Sequence, residues 1–243
     1  MIGLTIGASA ALMMTMVGAA GVFVVSRERT SFLAHILAFS AGMMSLTVFE
    51  MLNESHALSG HRLALAGLFT GIAALFLLGK TLPHAHLFLL NSEMTTEKRK
   101  AALLAGSITI HNIPEGLAMA AAFTDSSSLG WLVAVSIAIQ DVPEGFIVAM
   151  PSARYGLSRC RSFMYGAFSG VVEFAAAIIG FFCLSAVSKA IPFALGFSAG
   201  AMFYVILFEL LPDAMQGEAQ HKAAAAFVAG IGTAYLLSAI FGM

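Results

Sequence analysis

The chain has 243 residues, of which 59% are apolar and only 10% charged, with a net charge of −1 and a mean hydropathy of +0.91. A water-soluble domain with that composition would expose large apolar patches, so the sequence reads as an integral membrane protein. No basic stripe with interleaved aromatics marks a nucleic-acid surface, and two cysteines, Cys160 and Cys183, supply neither a disulfide framework nor a CxxC metal site.

A helix crossing about 30 Å of hydrocarbon needs roughly 20 residues. Charged clusters cut the chain into eight apolar runs of that order, near 2–25, 32–52, 62–82, 101–123, 129–150, 163–187, 191–211 and 221–241. They are longer than barrel strands and lack strict alternation, so an all-α integral membrane protein is expected, one transmembrane domain over residues 1–243. The first run has no basic residues ahead of it and exceeds the core of a signal peptide, so it is expected as a mature span. Arg27, Arg29, Lys80, Lys98, Arg99, Lys100, Arg154, Arg159, Arg161 and Lys222 fall on one side of these spans, and Arg62 and Lys189 on the other. The basic side is expected to be cytoplasmic, which puts both termini outside. Trp131 and Tyr155 would be the interfacial aromatics of the fifth span.

In span two, Phe39-Ser40-Ala41-Gly42-Met43-Met44 is echoed in span seven by Phe197-Ser198-Ala199-Gly200-Ala201-Met202, and the two phrases lead on to Glu50 and Glu209. One copy starts inside and the other outside, giving an inverted repeat, three spans on each side of a central two. Inverted repeats with helices broken near the midplane mark secondary transporters; Ser-Ala-Gly stretches also simply permit close helix packing. Glu50 and Glu209 lie near span ends, where a site and the interface are both within reach. Glu54, His56 and His61 cluster on the outer side. The long inner connection, from about Pro83 to Lys100, carries His84, His86 and Glu93, which either receive a departing metal ion or are solvated loop residues. His35 and His221 stand singly near the inner surface.

The chemistry is concentrated in His111-Asn112-Ile113-Pro114-Glu115-Gly116 of span four and Gln140-Asp141-Val142-Pro143-Glu144-Gly145 of span five. With about 100° per residue, Glu115 falls angularly between His111 and Asn112, and Glu144 between Gln140 and Asp141. Each helix therefore offers a fork in which one Glu serves two adjacent sites. Proline frees a carbonyl four residues back, and Glu173 of span six adds a further carboxylate. No span carries Lys or Arg near its middle, so these carboxylates must be protonated or share a cation. Carboxylates, imidazole and amides together suit a divalent cation of borderline hardness, and ionisable groups in hydrocarbon are functional by default.

At these residues the chain resembles the ZIP (Zrt-, Irt-like protein) family of divalent metal transporters, and with Gln140-Asp141 where many members have His-Glu, its bacterial GufA-like branch. The resemblance covers essentially the whole chain. It implies two neighbouring metal ions, the first held by His111, Glu115, Gln140 and Glu144 with Met44 or Met43, the second by Asn112, Glu115, Asp141, Glu144 and Glu173. It also implies alternating access, with spans one, four, five and six moving past two, three, seven and eight, often within a homodimer. The expected activity is import of zinc, with iron, manganese or cadmium as further substrates, across a cell membrane, the inner one in a Gram-negative source. No resident cofactor is expected beyond the transported ion, and no phosphate loop for ATP is present. A membrane metalloprotease would need His-Glu-x-x-His, where this chain has His-x-x-x-Glu; a metal sensor without net transport is the alternative.

Overall fold

The computed structural model describes residues 1–25, 30–89, 96–154, 156–215 and 220–241, and within these the side chains other than those at 30–33, 81–89, 96–108 and 213. Every regular element among them is helical: α1 (Ile2–Val24), α2 (Thr30–Ser59), α3 (His61–Leu89), α4 (Thr96–Asp125), α5 (Ser127–Arg154), α6 (Arg159–Ala186), α7 (Ile191–Val205), α8 (Leu211–Ala214) and α9 (Gln220–Phe241). A 3-10 turn, Ser188–Ala190, leads into α7, and a π-helical turn, Ile206–Leu210, joins α7 to the short α8. Among the described residues seven passes are long and apolar enough to cross a bilayer, and α4, 30 residues long, stands beside them.

Helices satisfy every backbone donor and acceptor within the segment, which a hydrocarbon surround requires. The side chains are sorted to match. Val17, Phe69, Phe168, Phe182 and Leu236 are exposed, while Asn112, Glu115, Gln140, Asp141 and Glu173 are buried. That sorting reverses the arrangement of a water-soluble protein; this is a multi-pass membrane protein.

Two expectations are corrected. α2, α3 and α4 overrun the expected spans, to Ser59, to Leu89 and from Thr96, because charged residues mark where hydrocarbon ends and not where helical hydrogen bonding ends. The inner connection is correspondingly shorter than 83–100; the side chains of His84 and His86, together with Glu93 and Tyr155, lie outside the described residues. α4 and α5 run unbroken through Pro114 and Pro143, as the continuous spans require, since packed neighbours can re-satisfy the freed backbone groups. The departure from α geometry lies instead in the π turn after α7.

The repeat in sequence reappears in packing. α1 packs most extensively on α5, α4 on α6, α3 on α7 and α2 on α9, followed by α1 on α6, α4 on α5 and α2 on α7. Exchanging α1 with α6, α2 with α7, α3 with α9 and α4 with α5 maps this set of pairs onto itself. The tightest crossings obey the same exchange. A Cβ on Gly42 would overlap the carbonyl oxygen of Phe227, and one on Gly200 that of Leu68. Likewise a Cβ on Gly145 would overlap the carbonyl oxygen of Thr15 in α1, and one on Gly116 that of Glu173 in α6. Only small residues let backbones meet this closely, so the glycines closing the two Pro-Glu-Gly phrases set the positions of α4 and α5.

Candidate metal centre

Because Gly116 and Gly145 seat α4 on α6 and α5 on α1, the forks of α4 and α5 are buried where those two helices pack on each other. Glu115, Asp141 and Glu144 each place a carboxylate oxygen within 4.8 Å of the other two. At an effective dielectric of about 20, two unit charges at that separation repel by about 3.5 kcal/mol, so the fully ionised trio carries about 10 kcal/mol of repulsion. Such a trio is stable with protons or with a multivalent cation.

Around the trio the polar groups hold one another loosely. Gln140 Nε2 donates to Glu115 Oε1 at 3.4 Å, Asn112 Nδ2 donates to Glu173 Oε2 at 3.5 Å, and Ser40 Oγ of α2 donates to Glu144 Oε1 at 3.3 Å. These are long for hydrogen bonds. Six further oxygens of these side chains are buried and meet no hydrogen-bond donor among the described residues: Asn112 Oδ1, Glu115 Oε2, Gln140 Oε1, both Asp141 oxygens and Glu173 Oε1. An orphaned buried polar group costs about 1–3 kcal/mol, and native interiors hold only a few per hundred residues. Six in one cluster, all of them metal-donor atoms, fit a divalent cation.

The expected ligands divide by position. Glu115, Asp141 and Glu144 converge; Asn112, Gln140 and Glu173 are tied in at the edge. Met43 and Met44 are both fully buried on α2, three and four residues beyond Ser40 and so on its face of the helix. His111 stands beside the group with Nε2 turned toward α7, 3.0 Å from Glu209 Oε1. Glu209 belongs to the π turn, a geometry that recurs at functional sites.

Two residues of the neighbourhood were not foreseen in these roles, Ser40 and the partner of His111. Both carry a sequence signal, since they belong to the repeated phrases. The repeat counterpart of Ser40 is Ser198, whose hydroxyl is buried without a hydrogen-bond partner among the described residues.

Residues 89–238, which take in α4 to α7 whole, match the family model described as ZIP zinc transporter. The chain belongs to the ZIP family. Zinc transporter ZupT of Stenotrophomonas maltophilia is 33% identical over 251 residues, covering 96% of this chain and 93% of that protein. Zinc transporter ZIP11 of Homo sapiens is 44% identical over 123 residues, 48% of this chain, so that the ZIP-family chain spans only 36% of its length. Zinc transporter GufA of Myxococcus xanthus is 33% identical over 148 residues, 60% of this chain and 58% of that protein. These relatives are named as transporters, not as enzymes.

Proposed function

We propose that this ZIP-family protein imports divalent metal ions, zinc foremost and iron, manganese or cadmium with less discrimination, into the cytoplasm. The observation that carries the reading is the buried trio Glu115, Asp141 and Glu144, which with its neighbours Asn112, Gln140 and Glu173 holds six oxygens that meet no hydrogen-bond donor among the described residues. Those oxygens replace the hydration that a divalent ion loses on entering the centre.

The ion pair occupies two adjacent sites. His111, Glu115, Gln140 and Glu144 hold the first with Met44 or Met43; Asn112, Asp141 and Glu173 hold the second, sharing Glu115 and Glu144. Both termini are extracytoplasmic, the repeat is inverted across the bilayer, and the protein works as a homodimer in the cell membrane, the inner one if the source is Gram-negative. Transport is alternating access, α1, α4, α5 and α6 sliding past α2, α3, α7 and α9. Two bonds between these groups end at the centre, Ser40 to Glu144 and Glu209 to His111. Both must exchange partners when the groups move, and an ion ligated by Nε2 of His111 competes with Glu209 for it.

The test is uptake of radioactive zinc by proteoliposomes containing the purified protein. Saturable accumulation, lost in Glu115→Ala, is expected. Tight zinc binding without accumulation would make the protein a sensor.

A further inference from the structure

One helical turn before Gln140, a narrow cleft lies between α2, α5 and α9. Thr47 and Glu50 of α2, Leu132 and Ser136 of α5, and Ser238 of α9 line it. The cleft is too narrow to admit a water molecule. Ser136 is 1% exposed, and its hydroxyl has no hydrogen-bond partner among the described residues. Glu50 is half-buried and accepts a hydrogen bond from Ser238 Oγ at 2.9 Å. Apolar packing would explain none of these groups.

The gap lies in line with the metal centre. Ser136 and Gln140, four residues apart on one face of α5, are separated by about 6 Å along the axis. Glu50 stands two turns beyond Met43 on α2, the helix whose Ser40 bonds Glu144. Under the exchange that relates the two halves, Glu50 is the counterpart of Glu209. The carboxylate that reaches His111 therefore has a twin on the opposite side of the centre, and that twin faces Ser136 across the gap.

We infer that Glu50, Ser136 and Ser238 form an outer staging site, which takes the hydrated divalent ion before it reaches Gln140 and Glu144. The inference rests on the transport reading above. One carboxylate and two hydroxyls replace only part of a hydration shell, so the ion is held weakly and keeps waters, as an entry step requires. Glu50 and Ser238 belong to the helix group of α2, α3, α7 and α9, whereas Ser136 belongs to the other. Separation of the groups opens the gap to ions, and their approach closes it behind the ion.

Initial zinc uptake against free zinc in proteoliposomes tests this with wild type, Glu50→Gln, Glu50→Asp and Ser136→Ala. Glu50→Gln is expected to raise KM about tenfold and Ser136→Ala about threefold, a loss of binding on the way in with the later steps intact. Glu50→Asp should recover most of the loss, and zinc stoichiometry of purified Glu50→Gln should equal that of wild type. An unchanged KM in Glu50→Gln, beside an active wild type, would overturn the staging site. So would loss of centrally bound zinc in that variant, which would make Glu50 a support for the fold. A wild type that accumulates no zinc would refute the transport reading instead. Labelling decides the site independently of uptake: with Cys160→Ser and Cys183→Ser as background, the thiol of Ser136→Cys should react with a membrane-impermeant maleimide from outside. Zinc should protect it only while Glu50 is intact. Absence of that protection would overturn the site.

Discussion

Gly116→Ala tests whether one helix crossing fixes the second metal site. A methyl there would stand 2.8 Å from both Ala176 Cβ and the Ala177 nitrogen, and would overlap the carbonyl oxygen of Glu173. Carbon contacts relax only at about 3.5–4.0 Å, so α6 must retreat from α4 by about 1 Å. The hydrogen bond from Asn112 to Glu173, already 3.5 Å long, would then open beyond hydrogen-bonding range. Metal ligation tolerates displacements of only about 0.2 Å, so Asn112 and Glu173 could no longer close on one ion. Overpacking of this kind costs about 1–3 kcal/mol, less than the stability of a typical fold. Gly116→Ala is therefore expected to purify as a monodisperse protein that binds one zinc per chain where wild type binds two, read by elemental analysis, with a reduced rate of uptake. Gly232→Ala, where a Cβ would meet nothing within 4 Å, should match wild type. Two zinc ions per chain in well-folded Gly116→Ala would refute the reasoning.

Losing a shared carboxylate should damage both sites: Glu115→Ala or Glu144→Ala is expected to abolish uptake, while Asp141→Ala or Glu173→Ala leaves one bound ion and a partial rate. Near-normal uptake by Glu115→Ala would count against sharing. Gln140→His adds an imidazole to a centre dominated by oxygen and should raise the preference for zinc over manganese, measured by competition during uptake. Acid should weaken binding, because the ligand groups take a metal ion only after losing their protons; zinc affinity falls by about tenfold per pH unit for each proton released. Calorimetry giving equal affinities at acidic and neutral pH would show that neither His111 nor the carboxylates bind the ion.

The bundle and its polar heart were legible in the sequence for simple reasons. Spans stand out because hydrocarbon excludes charge, and the forks of α4 and α5 stand out because two near-copies of one polar phrase interrupt apolar runs. Helix ends were not legible at Ser59, Leu89 and Thr96, since hydropathy falls where the bilayer ends, while polar residues beyond it can continue the helix. The proline phrases signalled freed carbonyls, but whether a helix bends at proline depends on neighbours that the sequence does not identify. Nor does a 3.6-residue pattern reveal a π turn, so the orientation of Glu209 toward His111 emerged only from the fold. Ser40 shows a third limit: its phrase was visible as a repeat, but its bond to Glu144 depends on how α2 lies against α5.

The central claim is a pair of ions bridged by Glu115 and Glu144, and anomalous diffraction at the zinc edge from crystals grown with zinc addresses it directly. Two peaks roughly 4 Å apart are expected between α4, α5 and α6, the usual spacing of a carboxylate-bridged pair. A single peak there, or zinc found only away from Glu115 and Glu144, would contradict the shared-carboxylate centre.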